Sequence, residues 1–236
     1  MQMLIAAAAV FLGIHLLIAG TRLRDGITGV IGERAYLGLF SLASIAVIVW
    51  LCMAYNTAGP TAENVRLYSL GEGVHDLGIV IVGLAFFIGV QGFFIPSPTA
   101  VGQESALGKE SAVQGVTRIT RHPFLWGVAI WAAFHLAVNG DTASIILFGT
   151  FLVLSILGTF SIDAKRKRKF GAAWEGYAAK TSNIPFAAVL SGRGSLKLGE
   201  LFGWRFLIAA VLFLIVLFAH ARVIGVSPFP GGYVPF

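Results

Sequence analysis

Uninterrupted apolar runs of about twenty residues recur along this chain, and they leave it few ways to fold. A helix rises about 1.5 Å per residue, so a run of that length crosses a hydrocarbon core of about 30 Å. Backbone groups in lipid must be satisfied internally, and these runs are too long and too unpatterned for barrel strands. The expectation is an all-α fold, a polytopic transmembrane helical bundle of about six helices, with spans at roughly 3–20, 35–56, 74–95, 123–138, 142–162 and 205–221. Only 12% of the 236 residues are charged, about half the share of a soluble domain, so residues 1–226 read as one membrane domain with no soluble module. Residues 227–236, rich in proline and glycine, read as an irregular tail.

Charge sets the orientation. Arg22, Arg24 and Arg34 follow the first span, and Lys109, Arg118 and Arg121 follow the third. Lys165 through Lys169, Lys180, Arg193, Lys197 and Arg205 follow the fifth. Only Arg66 and Arg222 fall on the other side. Basic residues collect on cytoplasmic loops, which places both termini on the side facing away from the cytoplasm. The net charge of +6 then faces anionic lipid headgroups, and nucleic acid is not an expected partner. Residues 1–20 contain no lysine or arginine, so they read as a retained helix and not as a signal peptide. After the basic run, Phe170, Trp174 and Tyr177 share one helical face, which predicts a cytoplasmic interfacial helix. Asn139-Gly140-Asp141 is a turn short enough to make its flanking helices antiparallel neighbours. Gly83, Gly89 and Gly92 form a small-residue face for close helix packing.

Chemistry is sought among polar groups at membrane depth, which are costly to bury. His15 lies in the first span and His135 in the fourth, both among apolar neighbours. Each could be a satisfied structural histidine. Two of them in separate helices raise a shared site, and a histidine pair without cysteine or clustered carboxylates suits haem iron better than structural zinc. The single cysteine, Cys52, offers neither a disulfide nor a redox pair. Measured from the inner ends of their helices, His15 is about 9 Å deep and His135 roughly 20 Å deep. On depth alone His122 would suit His15, and His75 would suit His135. His122 precedes Pro123, which fits a helix start; with Arg118 and Arg121 this makes either an anion site, for a headgroup, a haem propionate or a substrate carboxylate, or a simple interfacial anchor. Asp163, at the end of the fifth span, reads as local charge pairing with the basic run beside it. Nucleotide loops, nucleophile elbows and zinc-protease signatures are absent.

Several of these stretches resemble the NnrU family. They are Phe11-Leu12-Gly13-Ile14-His15, Thr21-Arg22-Leu23-Arg24, Gly32-Glu33-Arg34-Ala35-Tyr36, Arg118 through Pro123 with Trp131 and His135, and Phe170-Gly171 through Phe186. The resemblance covers roughly residues 10–190. It implies a bacterial inner-membrane protein linked to nitrite and nitric oxide reduction, that is, denitrification. The same superfamily includes plastid 15-cis-ζ-carotene isomerases, which implies b-type haem held by His15 and His135, with His122 a further motif histidine. It also implies an alternative function, haem-dependent cis–trans isomerisation of an apolar polyene dissolved in the bilayer. A weaker resemblance, through Arg121-His122-Pro123 and Phe170-Gly171, runs to membrane methyltransferases, whose paired glutamates are missing.

Overall fold

The computed structural model describes residues 1–100 and 102–233, and within them the chain is helical, with one isolated β-bridge between Arg66 and Asp141. The helices are α1 (Gln2–Leu12), α2 (Leu23–Ile31), α3 (Glu33–Ala58), α4 (Glu72–Asp76), α5 (Gly78–Phe93), α6 (Pro123–Val138), α7 (Thr142–Phe170), α8 (Ala172–Lys180), α9 (Ala187–Leu190), α10 (Leu198–Leu201) and α11 (Trp204–Ile224). Four stretches are each long and apolar enough to cross a membrane: Glu33–Ala58, Gly73–Phe93, Thr142–Phe170 and Trp204–Ile224. Such a set of helices marks a membrane protein. The first helix bends by 78° into α2 and counts as a fifth span if the pair is one, and α6, at 16 residues, is apolar but shorter. The six expected spans thus correspond to four full-length helices, one broken one and one short one. Of the expected tail, Pro230–Gly232 forms a short 3-10 turn, and residues 234–236 lie outside the described residues.

α7 stands at the centre and packs on α1, α3 and α6; α5 packs on α6, and α11 on α5. The main core joins Leu4, Ala7 and Phe11 of α1 to Leu51 and Ala54 of α3 and to Leu147 and Phe148 of α7. Outward, α3 shows Leu39, Leu42, Ile45, Val49 and Met53, spaced three and four apart on one exposed face. In water such a stripe would aggregate; in a bilayer, lipid tails cover it. α5 and α6 approach through glycine: a Cβ on Gly127 would stand 2.7 Å from Gly89 Cα and 2.8 Å from the Ala85 carbonyl oxygen. Gly92 makes the same room for Pro123, while Gly83 faces Phe213 of α11 at ordinary distance.

The two ends differ. At one end, the N-terminal amine meets Glu63 at 3.3 Å, and the segment before α4 hydrogen-bonds the α6–α7 turn through Leu67 N to Gly140 O (2.7 Å) and Thr142 N to Val65 O (3.0 Å). Asp141 caps α7 by accepting from Ser144 N at 3.1 Å. The other end carries the basic loops. There α7 overshoots any bilayer core, its 29 residues reaching roughly 43 Å. The basic run therefore continues α7, and the aromatic helix begins only after Gly171, at φ +50°. Trp174 and Tyr177 of that helix, α8, are buried against Ala106 and Ala112 of the preceding loop, so its aromatic face is turned onto protein. At this end α2 exposes an apolar edge through Leu23, Val30 and Ile31.

Candidate functional site

His15 sits where the first helix changes pitch. Gly13–Ile18 is a π-helical turn, closed by Ala19 N donating to Ile14 O at 3.0 Å, and such turns recur at functional sites. The His15 Nδ1–H donates to Phe11 O at 2.8 Å, four residues back, so Nε2 keeps its lone pair. Ser44 Oγ of α3 stands 3.5 Å from that Nε2, and the rings of Phe11 and Phe40 flank the imidazole at 4.5 and 5.2 Å.

His135 repeats the arrangement on α6. Its Nδ1–H donates to Trp131 O at 2.9 Å, and the rings of Trp131 and Phe148 both lie 4.9 Å away. Each imidazole is thus fixed in one tautomer by its own helix, with Nε2 free to ligate, the arrangement of a metal-bound histidine. Between the two histidines runs a chain of rings: Phe11 to Phe151 at 5.5 Å, then Phe151 to Trp131 at 5.7 Å. α7 serves as a ruler for their depths. His15 falls between the level of Phe151, which touches Phe11, and that of Ser161, which donates to Gly20 O at 3.2 Å. His135 is level with Phe148. The offset is on the order of 10 Å, as the depths read from sequence imply.

Taken singly, each histidine offers the kind of donor that b-type haem takes, an Nε2 in an apolar, aromatic setting, and among the described residues no carboxylate contacts either ring. As packed, the intervening rings keep the two apart, and both on one iron requires Phe11, Phe151 and Trp131 to move. Among the described residues no three His, Cys, Asp or Glu side chains gather as a metal site.

His122, Arg121 and Arg118 lie elsewhere, at the basic end. His122 is buried at the start of α6, and its Nε2–H donates to Asp163 Oδ1 of α7 at 2.7 Å. Arg121 donates to the same carboxylate through Nε (2.9 Å) and Nη2 (2.5 Å), and Asn183 Nδ2 donates to Oδ2 at 3.0 Å. Thr120 Oγ1 closes the ring by donating to Asn183 O at 2.5 Å. Burial, reinforced by Arg121 and Arg166, holds the His122 imidazole below its ordinary value, against the pull of Asp163. His122 is thus neutral, with its Nε2 already engaged. Arg118 pairs with Glu200 (2.8 and 3.1 Å), and its guanidinium keeps that carboxyl below the usual range. Both arginines are therefore spent on carboxylates. His75 is exposed on α4, and His220 closes the end of α11 through Val226 O at 2.7 Å.

Asp163 is thus the acceptor for three side chains, more than pairing with the adjacent basic run would require, and Asn183 and Glu200 join it as residues that the sequence alone does not single out. The signal in the sequence is Asp163 itself, a lone carboxylate at the end of an apolar run, 41 residues from His122.

A family model described as "NnrU protein" matches residues 3–228. The chain belongs to the NnrU family. It is also similar to the chloroplastic 15-cis-zeta-carotene isomerase of Zea mays, 26% identical over 206 residues, which cover 84% of this chain and 54% of that protein. The Arabidopsis thaliana protein of the same name is 28% identical over 181 residues, 72% of this chain and 46% of that one. This NnrU chain spans about half the length of the curated relatives it matches. No solved structure matches it.

Proposed function

We propose that this NnrU protein is a bilayer-embedded cis–trans isomerase of an apolar polyene, with b-type haem ligated by His15 and His135. The observation that carries the reading is the pair of half-buried imidazoles, each with Nδ1–H tied to a carbonyl four residues back and an Nε2 met by nothing stronger than the 3.5 Å contact of Ser44 Oγ with His15. When bound, haem would supply an iron centre whose electronics the imidazoles of His15 and His135 would tune. The chain's own residues do the rest. The Phe11 and Trp131 carbonyls fix the tautomer and raise the basicity of each imidazole. Phe11, Phe40, Phe148, Phe151 and Trp131 exclude water and offer ring faces to a conjugated chain. An apolar substrate reaches such a site laterally, between helices. The basic end is assigned to the cytoplasm of a bacterial inner membrane, with both termini periplasmic; fusions after Asn56, Lys109, Asp141 and Lys197 should read out, in, out, in.

The test has two stages. Purified protein should show a Soret band, lost in His15→Ala and His135→Ala and kept in His122→Ala; full haem occupancy without His135 rules out the pair. In cells that accumulate a cis-polyene, the wild-type chain should then shift the isomer ratio. A haem-loaded protein that leaves the ratio unchanged sinks the isomerase reading. What would remain is a role in nitrite and nitric oxide reduction, which rests on the family alone and is read as impaired growth of a deletion strain on nitrite under low oxygen. Saturable heat on titrating S-adenosylmethionine would instead favour the methyltransferase reading.

A further inference from the structure

At the basic end, beside the Asp163 ring, lies a recess of about 290 Å³ between the end of α7 and the segment 181–193. We propose that it seats the headgroup of one anionic glycerophospholipid, a site separate from the histidine region and independent of the isomerase reading. Its volume sits at the small end of the range of ligand pockets, the size of a headgroup and not of a whole lipid.

Three features select that ligand. The first is a free cation. Arg193 donates through Nη1 to the carbonyls of Ala178, Ala179 and Thr181 at 3.2–3.3 Å and through Nε to Ser191 Oγ at 3.0 Å. These bonds fix the guanidinium at the end of α8. Among the described residues no carboxylate pairs with it, and its Nη2 makes no hydrogen bond. Arg121 also lines the recess, but Asp163 takes its charge, so the wall presents one net positive charge to one phosphodiester. The second is an acceptor without a donor. Asn183 is buried, its Nδ2 is held by Asp163, and its Oδ1, enclosed in the wall, has no partner among the described residues; a small opening of the wall would let a headgroup hydroxyl satisfy it. The third is the lip. Phe160 and Ile184 are apolar, more than half exposed, and at the mouth. Phe160 precedes Asp163 by three residues, so it lies about 4.5 Å further along α7 toward the apolar core. A ligand held here has its polar part on Arg193 and its acyl chains on the lip, which a soluble anion cannot match.

Native mass spectrometry of the full chain, titrated with phosphatidylglycerol, phosphatidylcholine or soluble glycerol phosphate, tests this. Wild type should retain one phosphatidylglycerol in preference to phosphatidylcholine. Arg193→Gln should weaken it about tenfold, the loss of one charge-assisted contact, with Arg193→Lys recovering part. Ile184→Gln, at an exposed position, should weaken the lipid and leave glycerol phosphate unaffected. Unchanged lipid retention in Arg193→Gln, with its melting curve intact, overturns the proposal. So does glycerol phosphate competing on equal terms, which would make the recess a soluble-anion site. Should Arg193→Gln fail to fold, the Ile184→Gln and Arg193→Lys variants decide between the same two outcomes.

Discussion

At His15 and His135 each imidazole is held by a carbonyl of its own helix, whereas at His122 the ring is held by a carboxylate from another helix. The first arrangement asks little of the rest of the molecule, at most a 3.5 Å contact from Ser44 to His15, and leaves Nε2 weakly engaged or unused. The second uses the nitrogen up and makes two other side chains, Arg121 and Asn183, depend on the same carboxylate. An unused donor atom at membrane depth is available to a ligand; a fully engaged one locks helices together. The two regions therefore differ in what a substitution removes.

Asp163→Ala should produce the largest loss. It strands the Arg121 guanidinium, which is 13% exposed, and leaves His122 and Asn183 without their acceptor. Breaking a buried pair from one side costs about 3–5 kcal/mol. Unfolding of the purified protein in detergent should show a loss at the lower end of that range or beyond, with Asp163→Asn intermediate. In contrast, His15→Ala and His135→Ala remove half-buried rings held by local carbonyls, with only a long 3.5 Å contact from Ser44 to His15 besides, and should each cost about 1–2 kcal/mol in the cofactor-free protein. If either matches Asp163→Ala, the contrast between the regions fails.

The pH dependence sharpens the same contrast. The folded protein holds His122 below its ordinary 6.5, so the unfolded chain binds the extra proton first as pH falls. Stability is then full above pH 6.5 and declines below it, until the folded pKa is also passed, at a slope of at most about 1.4 kcal/mol per pH unit. Equilibrium unfolding between pH 7.5 and 5 should show this decline, and His122→Asn should flatten it. A variant as steep as wild type would mean that another group carries the titration.

Much of this is legible in the sequence. The hydropathy pattern locates most of the spans to within a few residues, because an apolar run in lipid has only one economical backbone, but it stops eight residues short of the end of α7, where the helix leaves the apolar run for the basic one. The short turn at Asn139-Gly140-Asp141 and the packing role of Gly89 and Gly92 follow from chain length and side-chain size. The histidines stand out because depth alone makes an imidazole expensive. The role of Asp163 does not, since nothing in a linear sequence says that residues 121, 122 and 183 converge on it. The aromatic face of α8 is visible as a face, but its partner, the loop around Ala106 and Ala112, comes from a segment without periodicity. The pitch change at His15 is hidden for another reason: one extra residue in a turn leaves no compositional trace.

The smallest effect belongs to the outer edge of the basic end, where Glu104 meets both Arg166 and Lys169, the latter at 2.6 Å. These contacts tie the loop before α6 to the overshooting part of α7. Burial by itself would raise the Glu104 carboxyl, but Lys169 and Arg166 outweigh it and hold the group below its ordinary 4.5. Its contribution is therefore present above pH 4.5 and lost as pH falls through the folded value. Glu104 and Lys169 are partly exposed, Lys169 most of all, though Arg166 is as covered as Arg121, so water and salt screen these pairs more than the Asp163 contacts. Glu104→Gln should cost about 0.5 kcal/mol at low ionic strength and less at high salt. A loss that instead persists at high salt and approaches that of Asp163→Ala would show that the loop, and not the Asp163 ring, holds this end together. Measuring both variants at two salt concentrations separates the outcomes, because the Asp163 contacts are buried and should respond little to ionic strength.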